Sequence, residues 1–408
     1  MIASSEGRSL FATLLPASLL VLAILLWPQV LGSFVPLVWQ IGNLAPYCLV
    51  LSVACLAAAL VAWLRRNRIA ALAARTFPTG RHLLYAAAAL LLSVLVVLGA
   101  GEAILRWTSY PFRTGWTPME YRISRFDPVL GWSYVPRLVI TQRFGSAGRP
   151  VQIAFDDQGI RIAAPGVRFD PTRPSALFAG CSYTFGHGLP YEETFVGRLG
   201  ADPAFGLQAV NLGVQGYGTD QALLRLKEEL PRFNTKVVVY TFLLDHVMRN
   251  DNADRRFIFP KARFPGTKPR FAVKEGRLIE VSPPRRYEDL VDCHLCDVVG
   301  LFWAKSGPPP SLELTRALVK AMKEYVESQG VAFVLVLWTN PHRLDSSQLA
   351  ESLFPGLGAT VVDLGSGAPP DFPQWMIPGE THPDARAHAY AARRIEEKLR
   401  ELRLVPAS

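Results

Sequence analysis

The sequence predicts an α/β protein with a doubly wound, parallel sheet, preceded by three membrane-spanning helices. Two observations support this prediction. From residue 176 onward, short apolar runs alternate with segments of helical periodicity, which is the order typical of a parallel sheet covered by helices. The first 106 residues instead hold three apolar stretches, each close to the roughly 20 residues that a helix needs to cross a bilayer. Half of all residues are apolar, which is high for a purely soluble chain.

The three apolar stretches cover residues 10–27, 44–64 and 82–105. They lack the polar face that a helix of a soluble domain shows. Five arginines and no acidic residue separate the second from the third stretch, whereas the loop 28–43 is uncharged. Positive loops stay in the cytoplasm, so everything after about residue 106 is expected outside it. The first stretch lacks a convincing cleavage site, and we expect it to be retained as an anchor.

These features predict a multi-pass protein of the cell membrane whose larger part is extracytoplasmic, and periplasmic in a Gram-negative cell. The lipid bilayer is the expected partner, because the arginine loop can contact anionic head groups. The net charge of +9 owes five positive charges to that loop. No basic stripe with interleaved aromatic residues and no helix-turn-helix pattern is present, which argues against nucleic-acid binding.

Three regions are expected along the chain. They are a membrane anchor (1–106), an aromatic-rich juxtamembrane segment with a hairpin near 151–162 (107–170), and an α/β domain (171–408) with an insertion at about 250–306. Predicted strands cover 176–179, 209–212, 236–242, 331–338 and 359–362, and predicted helices cover 192–199, 219–230, 312–328 and 383–402. Part of the juxtamembrane segment could rest at the lipid boundary. The insertion follows a strand and could form a lid or a substrate wall.

Cys293 and Cys296 form a Cys-x-x-Cys pair inside the insertion. In an oxidising compartment such a pair can be a local disulfide, and the same spacing occurs in redox sites and in half of a zinc site. A metal site would need two further ligands, and only His294 is near in sequence. We therefore favour a structural or incidental pair and predict no metal site and no cofactor.

Ser182 and His382 are the residues that suggest chemistry. Ser182 lies in a glycine-bounded turn, Gly-Cys-Ser-Tyr-Thr-Phe-Gly at 180–186, directly after the first predicted strand, and His382 precedes the last predicted helix. A serine hydroxyl becomes a nucleophile when an imidazole takes its proton. A serine after a strand also often caps a helix, and an isolated loop histidine is usually a surface residue, so neither residue decides the question alone.

The chain resembles the SGNH/GDSL hydrolase family in three blocks that stand in the family's order and spacing. They are the turn at 180–186, the segment Asn-Leu-Gly-Val-Gln-Gly-Tyr-Gly at 211–218, and His382-Pro383. The resemblance covers roughly residues 176–402 and leaves the membrane anchor outside. It implies a flavodoxin-like three-layer α/β/α domain. Members of this family are mostly esterases, lipases, thioesterases and carbohydrate acetylesterases, with some O-acyltransferases.

The resemblance also assigns roles to individual positions. Ser182 would be the nucleophile, and its backbone amide one donor to the oxyanion. Gly216 would supply the second backbone amide, and Asn211 would hold the loop that carries it. His382 would be the general base. The alternative for the second block is that its glycines only make a turn.

Two positions depart from the family pattern. The family places an aspartate three residues before the histidine, where this chain has Gly379. Glu380 lies two residues before His382, on the same side of an extended segment, and could replace that aspartate. Otherwise the protein would use a Ser-His dyad.

The second departure lies in the third strand's block, where the family often has an asparagine and this chain has Leu244. Loss of one oxyanion donor typically costs about 100- to 1000-fold in rate. Asn250 could lend its amide if the loop folds back, with Asp245 supporting that loop. Alternatively, Asp245 belongs to a solvated strand end.

These residues predict a membrane-anchored serine esterase that acts on an ester, such as an O-acyl group of a glycan or a lipid. Two alternatives remain open. An O-acyltransferase would form the same acyl-serine and would need a multi-span partner to deliver the acyl donor. A catalytically silent glycan-binding or assembly component would keep the fold without the chemistry.

Overall fold

The structure is a computed structural model that describes residues 44–69, 81–108, 122–144, 148–259, 264–290, 292–306, 312–338 and 353–405, with a few more between 16 and 24 and residue 71. The chain divides into two compact units, Met1–Pro111 with Cys293–Pro308 and Phe112–Asp292 with Pro309–Ser408. Part of the predicted insertion thus belongs to the unit that contains the predicted anchor.

The described residues include nine α-helices whose bounds are given below and twelve strands, besides six short 3₁₀-helices. The helices are α1 (Leu44–Leu64), α2 (Arg81–Thr108), α3 (Ser182–Phe185), α4 (Phe195–Ala201), α5 (Thr219–Glu229), α6 (Asp245–Asp251), α7 (His294–Ser306), α8 (Leu312–Ser328) and α9 (Ala385–Glu401). The strands are β1 (Ser124–Asp127), β2 (Gly131–Tyr134), β3 (Val139–Arg143), β4 (Pro150–Phe155), β5 (Arg161–Ile162), β6 (Pro174–Ala179), β7 (Gln208–Asn211), β8 (Asn234–Phe242), β9 (Arg270–Lys274), β10 (Arg277–Ser282), β11 (Ala332–Leu337) and β12 (Thr360–Asp363).

The first unit contains α1, α2 and α7. Two of the three predicted apolar stretches, 44–64 and 82–105, are helical. Among the described residues, one helical segment, Leu91–Thr108, is long and apolar enough to cross a membrane, and Ser52–Leu64 forms a shorter apolar segment. The stretch 10–27 lies outside the described residues except for a few positions. Three membrane-spanning helices therefore remain a prediction.

Helix α7 is bound to α2 within the first unit. The carboxylate of Glu102 accepts hydrogen bonds from the backbone N–H groups of His294 and Leu295, at 3.0 and 2.9 Å. These N–H groups have no partner inside α7, so the carboxylate acts as a cap from a neighbouring helix. Cys293 and Cys296 form a disulfide at the start of α7, which is one of the alternatives that their spacing left open.

The second unit is built on an eight-stranded sheet with the order β12-β11-β8-β6-β7-β5-β4-β3. The five strands from β12 to β7 are parallel, and each corresponds to a predicted strand with its ends shifted by at most two residues. Numbered along the chain, these five strands have the spatial order 2-1-3-4-5, which is the flavodoxin-like order. This confirms the predicted α/β class.

The expectation of a purely parallel sheet was wrong at one edge. Strands β3, β4 and β5 come from the segment that precedes the α/β domain and pair antiparallel to one another. Strand β5 then joins β7 through the pair Arg161 and Asn211. The sheet is therefore mixed, because the predicted hairpin near 151–162 extends it.

Helices cover both faces of the sheet, which gives three layers. Alternate residues of each central strand face opposite sides, as the pleat requires. Phe178 and Val239 pack in the cluster that contains α4 and α9, whereas Leu177 and Val238 pack in the cluster that contains α5 and α8. Burial on both faces explains why the parallel strands are continuous apolar runs in the sequence.

The hairpin β1–β2 shows where part of the aromatic-rich segment lies. Trp132 and Tyr134 are almost completely buried, and both belong to the hydrophobic core of the second unit. The indole of Trp132 stacks on Phe264 with ring centroids 4.3 Å apart. These two residues therefore pack into the α/β unit and do not rest at a lipid boundary.

Candidate active site

Ser182 lies at the carboxyl end of β6, which is the strand between β7 and β8. In this topology the chain crosses from β6 to β7 on one side and then to β8 on the other side of β6. Ligands bind in the crevice that opens at this switch point. Ser182 is the first residue of α3, and the cap position is Cys181, which makes no side-chain capping bond. The alternative role of Ser182 as a helix cap is therefore not what the structure shows.

His382 contacts Ser182 across two hundred residues of sequence. Its Nε2 atom lies 3.0 Å from the Ser182 Oγ atom, which is hydrogen-bond distance. The loop that carries His382 is fixed at both sides. The hydroxyl of Tyr183 donates to the Thr381 carbonyl at 2.9 Å, and Asp384 caps α9 by accepting from two backbone N–H groups.

Glu380 lies beside the other nitrogen of the same ring. One carboxylate oxygen of Glu380 is 3.7 Å from His382 Nδ1, which is within ion-pair distance but longer than a hydrogen bond. The Nδ1 atom is buried and has no hydrogen-bond partner among the described residues. The structure thus brings Ser182, His382 and Glu380 together in the order of the predicted triad. The Glu380–His382 distance exceeds that of a hydrogen bond by about half an ångström.

The backbone amides of Ser182 and Gly216 are the predicted oxyanion donors. Neither amide has a hydrogen-bond acceptor within the described part of the chain. The peptide that carries the Gly216 N–H also carries the Gln215 carbonyl, and this carbonyl accepts a hydrogen bond from Trp132 Nε1 at 3.0 Å. Because a peptide unit is planar, the Trp132 bond also fixes the direction of the Gly216 N–H. The hydroxyl of Tyr134 accepts from the Gln215 N–H at 2.9 Å.

Asn211 connects the second block to the nucleophile turn, as the resemblance implied. Its amide nitrogen donates to the Thr184 carbonyl at 3.0 Å, and its oxygen accepts from the Gly213 N–H at 3.0 Å. The two loops approach so closely that a Cβ at Gly213 would lie 2.3 Å from the Phe185 nitrogen. Only glycine fits at this position without a shift of the backbone.

Arg161 fixes the far side of the nucleophile turn, and sequence reasoning missed it. Its guanidinium donates to the carbonyls of Phe185, Gly186 and Leu189, and it lies 4.4 Å above the Phe185 ring. Burial lowers the pKa of Arg161 to about 10, so it is still charged at neutral pH. The available signal was an arginine between two isoleucines in a short apolar segment. An arginine that is buried there needs polar partners for its guanidinium, so the sequence could have indicated a structural role for Arg161.

Asn250 does not provide the missing oxyanion amide. Its oxygen accepts from the Thr219 N–H at 2.8 Å, and its nitrogen donates to the hydroxyls of Thr219 and Thr315 at 3.2 and 2.9 Å. The side chain is completely buried, and both amide hydrogens have acceptors. Asn250 therefore connects α5, α6 and α8, and the structure does not support its predicted role at the oxyanion.

Asp245 lies at the start of α6 with 46% of its side chain exposed. It is 3.6 Å from the guanidinium of Arg249, and this arginine donates to the Tyr217 carbonyl in the second block at 3.1 Å. Asp245 thus touches the loop only through Arg249. Its exposure agrees better with the solvated strand end that was one of the two alternatives.

His187, five residues after Ser182, is a further site residue; from the sequence it could line the entrance of the site, and an ordinary turn residue was the favoured interpretation. Its ring stacks on His382 with centroids 4.0 Å apart and an angle of 25° between the planes. Gln215 Nε2 hydrogen-bonds to His187 Nδ1, and His187 Nε2 lies 3.9 Å from the Glu380 carboxylate. Burial, assisted by the charges of His382 and Arg161, lowers the pKa of His187 well below its usual value of 6.5.

His187, Glu380 and His382 also offer three ligand atoms within 4.8 Å of one another. Histidine and carboxylate are ordinary zinc ligands. The lone pairs of imidazole nitrogens lie in the ring planes, however, and two rings stacked nearly parallel cannot both direct a lone pair at one ion unless a ring rotates. In the observed arrangement the three residues fit a proton-transfer site better than a metal site.

A small cleft lies next to the Ser-His pair. Tyr183 and Pro383, which are the immediate neighbours of Ser182 and His382, belong to its wall together with two tryptophans, Trp338 and Trp375. The wall is mostly apolar, which suits a hydrocarbon group better than a charged one.

No family model and no curated protein matches this chain. Solved structures do match it, and they include lipolytic proteins of the G-D-S-L family, an acylhydrolase and an esterase. A lipase/acylhydrolase from Enterococcus faecalis is 14% identical, with 58% of this chain and 99% of that chain covered and a TM-score of 0.35. A putative lipolytic protein of the G-D-S-L family from Desulfitobacterium hafniense is 14% identical, with 55% and 99% covered and a TM-score of 0.33.

A psychrotrophic esterase from Pseudoalteromonas sp. is 12% identical, with 57% of this chain and 98% of that chain covered and a TM-score of 0.33. The chain is thus similar in fold to these lipolytic and esterase structures over 55 to 58% of its length. Likenesses at these TM-scores carry no argument about the site, so the strand order and the contacts of Ser182 and His382 carry the conclusions that follow.

Proposed function

We propose that this protein is a membrane-anchored serine esterase of the SGNH type whose α/β unit acts outside the cytoplasm. The observation that carries the proposal is the 3.0 Å contact between Ser182 Oγ and His382 Nε2 at the switch point of a flavodoxin-like sheet. The substrate that we propose is an O-acyl group on a glycan or a lipid. The apolar lining of the cleft beside the Ser-His pair supports an apolar acyl group.

The chemistry follows from the contacts. Ser182 Oγ attacks the ester carbonyl carbon while His382 Nε2 takes the hydroxyl proton. The negative oxygen that forms is held by the amides of Ser182 and Gly216. When the tetrahedral intermediate collapses, the carbon–oxygen bond to the alcohol breaks and His382 returns the proton to the leaving alcohol. Water then attacks the acyl-serine by the same steps in reverse order and releases the acid.

Glu380 has an electrostatic role in this scheme. The imidazolium that forms on His382 lies next to the Glu380 carboxylate, which stabilises the charge without taking the proton. No side-chain amide reaches the oxyanion from Asn250. We therefore expect a slower enzyme than one with three oxyanion donors, by a factor within the usual 100- to 1000-fold for one donor.

The test uses the full-length protein in detergent, with p-nitrophenyl acetate as the substrate and a fluorophosphonate as a covalent probe of the nucleophile. We expect Ser182→Ala to lose at least about a thousandfold in kcat/KM and all labelling. Ser175→Ala is the matched control, because Ser175 is a buried serine at the opposite end of the same strand. Full activity of Ser182→Ala would refute the assignment, and a wild-type protein that neither reacts nor labels would favour a silent component.

A further inference from the structure

The base of the proposed reaction lacks the partner that would hold its ring. An imidazole that shuttles a proton through Nε2 needs a group at Nδ1 that fixes its orientation and stabilises its charged form. Gly379 offers no side chain for this, and Glu380 stays 3.7 Å from Nδ1. Another group must keep the His382 ring within reach of Ser182.

His187 is built into the nucleophile turn more rigidly than an ordinary loop residue. Its backbone N–H donates to the Ser182 carbonyl at 3.0 Å. The side chain is 8% exposed, and the edge of Phe144 packs against its ring at 4.7 Å. Together with the bond from Gln215, these contacts hold the ring in one orientation next to His382.

We propose that His187 is a positioning residue for the general base: its ring holds the His382 ring by stacking, and its Nε2–H, 3.9 Å from the Glu380 carboxylate, attracts that carboxylate toward His382 Nδ1 without a direct hydrogen bond. The inference rests on the proposed function. It assigns to His187 and Glu380 together the task that the absent acid at position 379 would otherwise perform.

The protonation of His187 and His382 agrees with a positioning role for His187. With Gln215 Nε2 donating to Nδ1, the ring proton of His187 sits on Nε2, the atom that faces Glu380. His187 resists a positive charge because it is buried and lies next to Arg161 and His382. The proton taken from Ser182 therefore stays on His382. A neutral aromatic ring stacked on the resulting imidazolium attracts it by its π-face.

The test compares three substitutions of His187 in the full-length protein. His187→Ala removes both contacts, His187→Phe keeps a stacking ring, and His187→Gln keeps a polar group without a ring. We expect His187→Ala to lower kcat for p-nitrophenyl acetate by about tenfold with little change in KM, and His187→Phe to regain several-fold of that loss.

His246→Phe is the matched control for loss of stability, since His246 is also completely buried but contacts Tyr240. It should leave kcat unchanged. If His187→Ala does not fold, His187→Phe and His187→Gln decide, with a higher kcat in the phenylalanine variant as the expected result. Wild-type kcat in folded His187→Ala, or in His187→Gln if His187→Ala does not fold, would overturn this inference alone, provided that Ser182→Ala is inactive. Activity in Ser182→Ala would instead overturn the proposed function.

Discussion

His388 makes the stability of the α/β unit depend on pH in a way that can be measured. It is completely buried on α9, and its Nδ1 atom accepts a hydrogen bond from the Phe195 N–H of α4 at 3.1 Å. Its Nε2 atom has no partner among the described residues. Burial is the main cause that lowers the pKa of His388 from 6.5 to about 3, and the nearby charge of Arg161 adds to it.

The direction of the pH dependence follows from the proton binding of His388 in the folded and the unfolded state. Between pH 6.5 and about 3 the unfolded chain binds a proton at His388 that the folded chain rejects, so the unfolding free energy falls as the pH falls. The stabilisation is complete above pH 6.5 and is lost by about 1.4 kcal/mol for each pH unit below it. At pH 5, which is about 1.5 units below 6.5, the loss amounts to about 2 kcal/mol.

Urea unfolding followed by tryptophan fluorescence at pH 8 and pH 5 measures this loss. His388→Gln keeps an acceptor for the Phe195 N–H but cannot titrate, so its unfolding free energy should fall by about 2 kcal/mol less than that of the wild type. The buried residues His187 and His246 titrate in both proteins and cancel in the comparison. Equal pH dependence in the two proteins would show that His388 is protonated as easily in the folded state as in the unfolded state.

Three further substitutions probe the site and its support. Trp132→Phe removes the indole N–H that fixes the Gly216 peptide. It should lower kcat about tenfold with an unchanged KM, because the Gly216 N–H stabilises only the transition state. A proportional rise of KM would contradict this role of Trp132. Glu380→Gln removes a charge 3.7 Å from the base, worth between about 1.1 and 4.5 kcal/mol for dielectric constants between 80 and 20, so kcat should fall at least about sevenfold. Unchanged kcat would leave a Ser-His dyad. Lys268→Met leaves the buried carboxylate of Asp220 without its ion-pair partner. The free energy of unfolding, measured with urea, should fall by about 3–5 kcal/mol. A loss below about 1 kcal/mol would contradict an uncompensated buried charge at Asp220.

The parallel strands were predictable because a strand that is buried on both faces of the sheet is a continuous apolar run in the sequence. The site residues Ser182 and His382 were predictable because each lies in a block next to such a strand or before the last helix. The edge strands β3–β5 were harder to place, since β5 pairs with β7, which follows later in the chain. The contact of His187 with His382 was not predicted, because the two residues lie nearly two hundred positions apart in the sequence.

Asn250 shows the limit of inference from chemistry alone. An amide close to the third strand is a suitable oxyanion donor by residue type. Whether that amide is free depends on Thr219 and Thr315, which come from two other helices. No spacing within one segment of the sequence reveals such a contact, because it depends on how three helices pack.

The hairpin with Trp132 has a practical consequence for anyone who prepares a soluble fragment. Trimming the chain at residue 171, where the sequence suggests that the α/β domain begins, would keep the nucleophile and the base but discard the indole that supports the second loop. Such a fragment would still carry Ser182, Gly216 and His382, and under the proposed function it would nevertheless be a poor catalyst. Material for crystallisation or inhibitor screening should therefore start ahead of Ser124, so that the leading hairpin is expressed together with the α/β unit into which it packs.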